Sequence, residues 1–324
     1  MNPRARKWLI RMLSLLLSVC VVLLVGCTVY DAWAEREMVR QMKAAEREPG
    51  TPYLKGGAPV RIDRGRDRVC VLLHGFPSTP ADFGDLPAAL DEAGWDVWAP
   101  LLPGFGTDAG DLAQVSAEEI VAGAGHELDR MRASYRRVVL LGFSMGGAVA
   151  LVLSERSPPD ALVLVNPFLR ARHKVRYVLS PRTWHRVCSA FVDHVVKPPW
   201  LVHVERREAR ARLVAYRAMP LRAVGEAFRI ADLGRAAAPA DVPVLVLLSE
   251  QDGAVSPAAV RAAYEAFEVG EKSIATFERS DHLLFLDHDR EAAIEAVLRF
   301  IDRLDSPADR EPDDEDTARQ RQSR

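Results

Sequence analysis

Between about residue 58 and residue 304, short apolar runs alternate with longer segments whose apolar residues recur at helical spacing. The runs at 69–73, 95–99, 138–141, 161–165, 244–248 and 273–277 are bounded by Gly, Pro or Asp. Runs this apolar predict strands covered on both faces. The segments at 81–93, 117–134, 145–155, 257–267 and 290–304 predict helices. Strictly alternating elements of this kind predict a doubly wound α/β fold around a mostly parallel sheet. The alternation lapses from Arg170 to about Ala238, where helix-like stretches are punctuated by Pro181, Pro198, Pro199 and Pro220 and no strand is evident. About 65 residues is too long for a loop in a compact domain, so an inserted helical cap is expected there.

The two ends are patterned differently. Arg4, Arg6, Lys7 and Arg11 precede an apolar stretch from Met12 to Val25, the order of a secretory signal. The stretch closes on Leu24-Val25-Gly26-Cys27, which resembles a bacterial lipobox. That resemblance implies removal of residues 1–26 and lipidation of Cys27. The alternative is an uncleaved anchor at about 8–30, since Met12 to Tyr30 carries no charge over about 19 residues, near the length of a bilayer span. An ordinary cleaved signal is a third reading. All three put the rest of the chain outside the cytoplasm, because the positive charges come first. Residues 31–57 read as a spacer, its charged, helix-prone part stopping at Pro49-Gly50 and expected to be solvated. Residues 305–324, with the cluster Asp313-Asp314-Glu315-Asp316, are expected to form a disordered charged tail.

Composition narrows the classes. An apolar fraction of 48% excludes global disorder. A net charge of -2 argues against a nucleic-acid partner held by general electrostatics. Four cysteines are too few and too scattered for a disulfide framework or a zinc ribbon, and no metal-ligand spacing occurs. Cys70 falls in a strand and reads as a small core residue, while Cys188 falls in the cap, so a bond between them would tie cap to core. From Arg170 to Arg235 there are 15 Lys+Arg against 5 Asp+Glu. That excess suits anionic headgroups on a tethered protein, or is simply a solvated basic face.

Three short motifs carry the chemistry. Gly142-Phe143-Ser144-Met145-Gly146 is a G-x-S-x-G element between a strand and a helix, a context in which the serine is a nucleophile lifted clear of the sheet. The helix beginning at Met145 supplies free N–H groups and partial positive charge for a developing oxyanion. His74-Gly75-Phe76-Pro77 follows the strand at 69–73. Ser249-Glu250-Gln251-Asp252-Gly253-Ala254-Val255 and Ser280-Asp281-His282 each follow a later strand, at the sheet edge where ligands gather. A serine hydroxyl needs an imidazole to take its proton, and that imidazole needs a carboxylate to fix its tautomer.

With these motifs the sequence resembles the α/β-hydrolase superfamily over residues 58–304. The resemblance implies a triad of Ser144, Asp252 and His282, with the backbone N–H groups of Phe76 and Met145 as the oxyanion hole. Glu250 and Asp281 are the neighbouring rivals for the acid. His74 precedes the nucleophile, against the family's chain order, and is expected to brace its turn. The stretches Leu72–Phe76, Ala99–Gly106 and Ser280–Asp287 look most like the bacterial carboxylesterase and monoacylglycerol lipase branch. That branch implies a serine esterase acting on a small-molecule or lipid ester, with no cofactor. An acyltransferase or thioesterase would use the same triad, and a non-catalytic binding protein would need none of it. The cap matches nothing in that branch, so the ester itself is not specified.

Overall fold

The computed structural model describes residues 2–173, 178–198 and 203–304, and the charged tail expected at 305–324 lies outside them. In chain order the strands are β1 (Val60–Ile62), β2 (Arg68–Leu73), β3 (Asp96–Ala99), β4 (Arg137–Phe143), β5 (Ala161–Val165), β6 (His194–Val196), β7 (Ala218–Pro220), β8 (Val244–Ser249) and β9 (Lys272–Phe277). The helices are α1 (Pro3–Ala44), α2 (Leu86–Glu92), α3 (Ala117–Ser134), α4 (Met145–Arg156), α5 (Pro181–Cys188), α6 (Arg207–Arg212), α7 (Leu221–Ala236), α8 (Pro257–Ala266) and α9 (Arg290–Arg303). Among the described residues, seven strands form one sheet in the order β1-β3-β2-β4-β5-β8-β9. All of its neighbours pair in parallel except β1 with β3.

The apolar runs are buried on both faces because successive side chains feed two cores, except at 273–277, which forms the sheet edge β9 and buries only Phe277 because no strand pairs on its outer side. On one face Val71, Leu73, Leu140, Leu164 and Val246 pack with residues of α3, α4, α7 and α8. On the other, Leu72, Leu141, Val163 and Leu247 pack with residues of α2 and α9. Helix α4 lies at the centre of the first layer, and every residue from Met145 to Ser154 is buried. Helix α3 is started by a reciprocal cap between Ser116 and Glu119, the sequence signal of a helix N-terminus.

Four features differ from the sequence-based expectations. The edge strand β1, which pairs antiparallel with β3, was not anticipated; it is three residues long and nowhere fully buried. The helix expected over 81–93 is divided into a 3-10 turn (Pro80–Phe83) and α2. Gly84 separates the two with φ +51, and a Cβ there would meet the Phe285 carbonyl oxygen at 2.8 Å. The cap region is not purely helical: β6 and β7 form an antiparallel ribbon. Helix α7 belongs to the layer over the sheet, with Gly234 against Ala148 of α4, where a Cβ would approach to 2.8 Å.

The fourth difference concerns the segment expected to be a solvated spacer. Helix α1 runs unbroken into it as far as Ala44, and the second half of the helix lies against the ribbon. Asp31 Oδ1 accepts from the backbone N–H groups of Asp193 at 2.7 Å and His194 at 2.8 Å. Gln41 Oε1 accepts from the N–H groups of Arg217 at 2.9 Å and Ala218 at 3.1 Å. Glu37 pairs with Arg217 at 3.0 Å, and Ala34 is fully buried between these contacts. The polar residues that read as a solvated face are the partners of an exposed ribbon edge, which would otherwise present unpaired backbone groups. The apolar first half, from Trp8 to Val29, packs on nothing.

A carboxylate accepting two backbone N–H groups contributes about 1.5–3 kcal/mol. Asp31→Ala is therefore expected to speed hydrogen exchange at Asp193 and His194 by about tenfold or more, with the sheet amides unchanged. Equal exchange in both proteins at those two amides would show that α1 does not hold the ribbon.

Candidate active site

The strand order reverses between β2 and β4, and the crevice at the ends of these two strands is where an open α/β sheet offers a site. The register pairs Leu73 with Gly142, so the turns that follow the two strands lie side by side. The turn after β4 is very tight. Ser144 is held at φ +53, ψ −117, an unfavourable conformation for a residue with a side chain. A Cβ on Gly142 would lie 2.3 Å from the Gly146 carbonyl oxygen, and one on Gly146 would lie 2.0 Å from the Leu73 carbonyl oxygen. Both glycines of the motif are therefore required by close backbone approach. Gly75 also stands beside the serine, and a Cβ there would lie 3.1 Å from Ser144 Cβ.

The later strands bring up the other two groups. His282 Nε2 is 2.8 Å from Ser144 Oγ, and His282 Nδ1 is 2.6 Å from Asp252 Oδ2. The other oxygen of Asp252 accepts from the N–H groups of Ala254 at 2.8 Å and Val255 at 2.7 Å, which fixes the carboxylate. Asp252 is buried, as are Ser144 and His282 apart from the side facing the cavity. The ring of Phe143 packs on His282 at 4.9 Å between centroids. Thus a hydroxyl, an imidazole and a carboxylate stand in line, as proton transfer from the serine requires.

The rival acids are engaged elsewhere. Glu250 is paired with Arg261 on the surface side. Asp281 accepts from the N–H groups of Gly253 at 2.6 Å and His282 at 2.8 Å and faces His203 at 3.4 Å. His74 is fully buried; its Nε2 accepts from the Leu102 N–H at 3.1 Å, so Nδ1 carries the proton and donates to the Gly75 carbonyl at 2.9 Å. Burial pushes its pKa down to about 4, which keeps it neutral, a brace between the turns after β2 and β3. Among the described residues, the N–H groups of Phe76 and Met145 donate to no protein acceptor. They border the serine from two turns and are free to receive an oxyanion.

Three positioning residues were not singled out from the sequence. Asn166, buried at φ +42 after β5, donates to Ser249 Oγ at 3.1 Å and to the His282 carbonyl at 2.9 Å and accepts from the Ser249 N–H at 2.8 Å. Asp82 accepts from the Gly75 N–H at 3.1 Å and from Ser78 Oγ at 2.7 Å, which sets the turn beside the nucleophile. Asp287 accepts from Glu205, Arg206 and Asp281 N–H groups at 2.9–3.1 Å and ties the base of the cap to the histidine loop. Only Asp287 lies in a quoted motif; nothing local to the other two marks them.

The relay opens into a cavity of about 630 Å³. The sheet side contributes Phe76, Phe143 and Val255, and the cap contributes Trp184, Leu213 and Tyr216. Among the described residues no group of side chains could hold a metal ion. The four cysteines are all free, so no bond ties Cys70 to Cys188, and burial pushes the Cys70 thiol far above its ordinary range. Much of the cap's positive charge is paired: Arg182 and Arg235 with Asp232, Arg217 with Glu37, and Arg229 with Glu118.

A mostly parallel sheet, a serine on a strained turn between strand and helix, and a histidine on the last strand's loop define an α/β-hydrolase. Within that class the chain belongs to the family described as serine aminopeptidase, S33, or Hydrolase_4, whose profile matches residues 65–289. It is 25% identical over 251 residues to a thermostable monoacylglycerol lipase of Bacillus sp. (strain H-257), covering 77% of this chain and 96% of that protein. It is 25% identical over 246 residues to a carboxylesterase of Bacillus subtilis (strain 168), covering 75% and 95%. A solved structure of a metagenome-derived lipolytic enzyme superposes with a TM-score of 0.67 at 22% identity, over 80% of this chain and 100% of that one. The likeness to the carboxylesterase and monoacylglycerol lipase branch that the motifs implied is the one these comparisons find.

Proposed function

We propose that the protein is a membrane-attached serine hydrolase of carboxylic esters that works through an acyl-enzyme. One observation carries the reading: the line Asp252, His282, Ser144 ends in a largely apolar cavity. Ser144 Oγ attacks the ester carbonyl while His282 Nε2 takes its proton, and Asp252 stabilises the imidazolium. The carbonyl electrons move onto oxygen, which the N–H groups of Phe76 and Met145 receive. As the C–O bond breaks, His282 returns the proton to the departing alcohol. Water then attacks the acyl-serine, with the same imidazole as base.

The family's description raises an aminopeptidase as the rival. An aminopeptidase must hold a substrate ammonium, which calls for carboxylates in the cavity. Here the cavity is lined by Arg172, Lys197, Arg210 and Arg217 against one carboxylate, Asp82, which is already hydrogen bonded. An ester with an apolar acyl chain fits that lining; a free amino terminus does not.

The unpacked apolar half of α1, with Arg4, Arg6, Lys7 and Arg11 before it, supports membrane attachment, either as a span or, after cleavage, through lipid on Cys27. Both routes put the membrane next to the cap, since Tyr30 and Asp31 already touch β6. Hydrolysis of 4-nitrophenyl esters, tested from acetate to palmitate, is expected to sediment with membranes and to be released by detergent but not by high salt. The mass of the membrane-bound protein separates the two routes, since a lipoprotein begins at an acylated Cys27 and a spanning protein retains residues 1–26. Full activity in the soluble fraction would remove the membrane from this reading.

A further inference from the structure

Lys197 follows β6 and lines the same cavity as Ser144 and His282. The cavity's other cations have fixed partners. Arg172 donates to the Asp252 carbonyl, Arg210 to the Val204 carbonyl at 3.1 Å, and Arg217 pairs with Glu37 at 3.0 Å. Among the described residues, Lys197 Nζ has no hydrogen-bond acceptor and no ion-pair partner. The carboxylates that act on it from a distance, Asp82 and Asp281, are occupied by Ser78, Gly75, Gly253, His282 and His203. Among the described residues, the side chains of Arg172 and Arg210 are bonded only to neutral carbonyl groups, so their charge is not cancelled.

The half-buried Lys197 ammonium, with three donors and no protein acceptor among the described residues, is left for an anion entering a largely apolar cavity. Burial accordingly lowers the Lys197 pKa, and it pushes Asp82, the one carboxylate that lines the cavity, up to about 6. We infer that Lys197 binds an anionic group of the substrate, so that the preferred esters carry a carboxylate or a phosphate near the scissile bond. This rests on the ester-hydrolase reading of the same cavity. It narrows that reading from esters in general to acidic half-esters or lysophospholipid-like esters, two sources of one chemistry.

Two matched pairs of substrates test it. Mono-4-nitrophenyl glutarate against 4-nitrophenyl valerate places the anion on the acyl side, and lysophosphatidylglycerol against a monoacylglycerol of equal chain length places it on the alcohol side. The full-length protein is expected to favour the anionic member of at least one pair in kcat/KM. Lys197→Met is expected to lower that preference by about tenfold to a hundredfold, the range of a charge-assisted hydrogen bond, and Lys197→Arg to restore part of it. Removing an unpaired recessed charge does not lower Tm, so the variant reports on selectivity and not on folding. Calorimetric binding of monobutyl succinate to Ser144→Ala, with and without Lys197→Met, gives a readout free of turnover. An unchanged preference, or binding that ignores residue 197, overturns the inference. Loss of turnover on every ester overturns instead the hydrolase reading, and the binding comparison still decides for Lys197.

Discussion

Ser144→Ala is expected to lower kcat on any ester the protein accepts by about 10⁶-fold, with little change in Tm. The two parts have separate causes. In the proposed mechanism Ser144 Oγ supplies the attacking atom and its proton leaves through His282 Nε2, 2.8 Å away, so removing it leaves the imidazole with nothing to deprotonate but water. What remains is the oxyanion hole and substrate binding, about 10³–10⁴ over the uncatalysed rate in related arrangements. The fold keeps its strain, because alanine at φ +53 is as unfavourable as serine. Ser144→Gly should lose the same activity yet gain stability, since glycine accepts that conformation and part of the roughly 1–3 kcal/mol stored there is released. Steady-state hydrolysis and thermal unfolding on the three proteins decide it. Turnover by Ser144→Ala near that of the parent would remove Ser144 from the chemistry.

The parts of this protein legible in its sequence are those set by local pattern. Five of the six expected strands stand out because each is a mostly apolar run, and a strand buried on both faces needs that composition; the sixth, at 273–277, carries Ser273 and Thr276 and lies at the sheet edge with only Phe277 buried. The serine turn was legible because a Cβ at either Gly142 or Gly146 would collide with neighbouring backbone, so the turn forces the spacing of the motif. Residues whose meaning depends on distant partners were not legible. Asp31, Glu37 and Gln41 form a polar stripe that reads as solvated, yet their partners are backbone and side-chain groups more than 160 positions away. Asn166 joins the ends of three different strands. The ribbon of β6 and β7 was invisible for the same reason: three residues each, one strand ending in Pro220, stabilised by each other and by α1. Sequence pattern thus reveals the frame of the site, while the ribbon of the cap and its seat on α1 arise from tertiary contact.

Asp252→Asn is expected to lower kcat by about 10⁴-fold with KM nearly unchanged. The asparagine carbonyl can still accept from the Ala254 and Val255 N–H groups, so the loop and the side-chain position are retained. Its amide would then stand where Oδ2 faces His282 Nδ1 at 2.6 Å, and two donors would meet. The imidazole relieves this by moving its proton to Nε2, the atom that must accept from Ser144, so the base is lost while the cavity is intact. Loss of the carboxylate also leaves the imidazolium of the transition state without its counter-charge. The neighbouring acids give the control. Glu250→Gln removes only a pairing with Arg261, and Asp281→Asn keeps an acceptor for the Gly253 and His282 N–H groups while losing the contact to His203. Each should cost no more than about tenfold, the scale of a displaced supporting contact. Kinetics on the three variants in parallel assign the acid: a loss in Asp281→Asn or Glu250→Gln as deep as in Asp252→Asn would move that role to the other carboxylate.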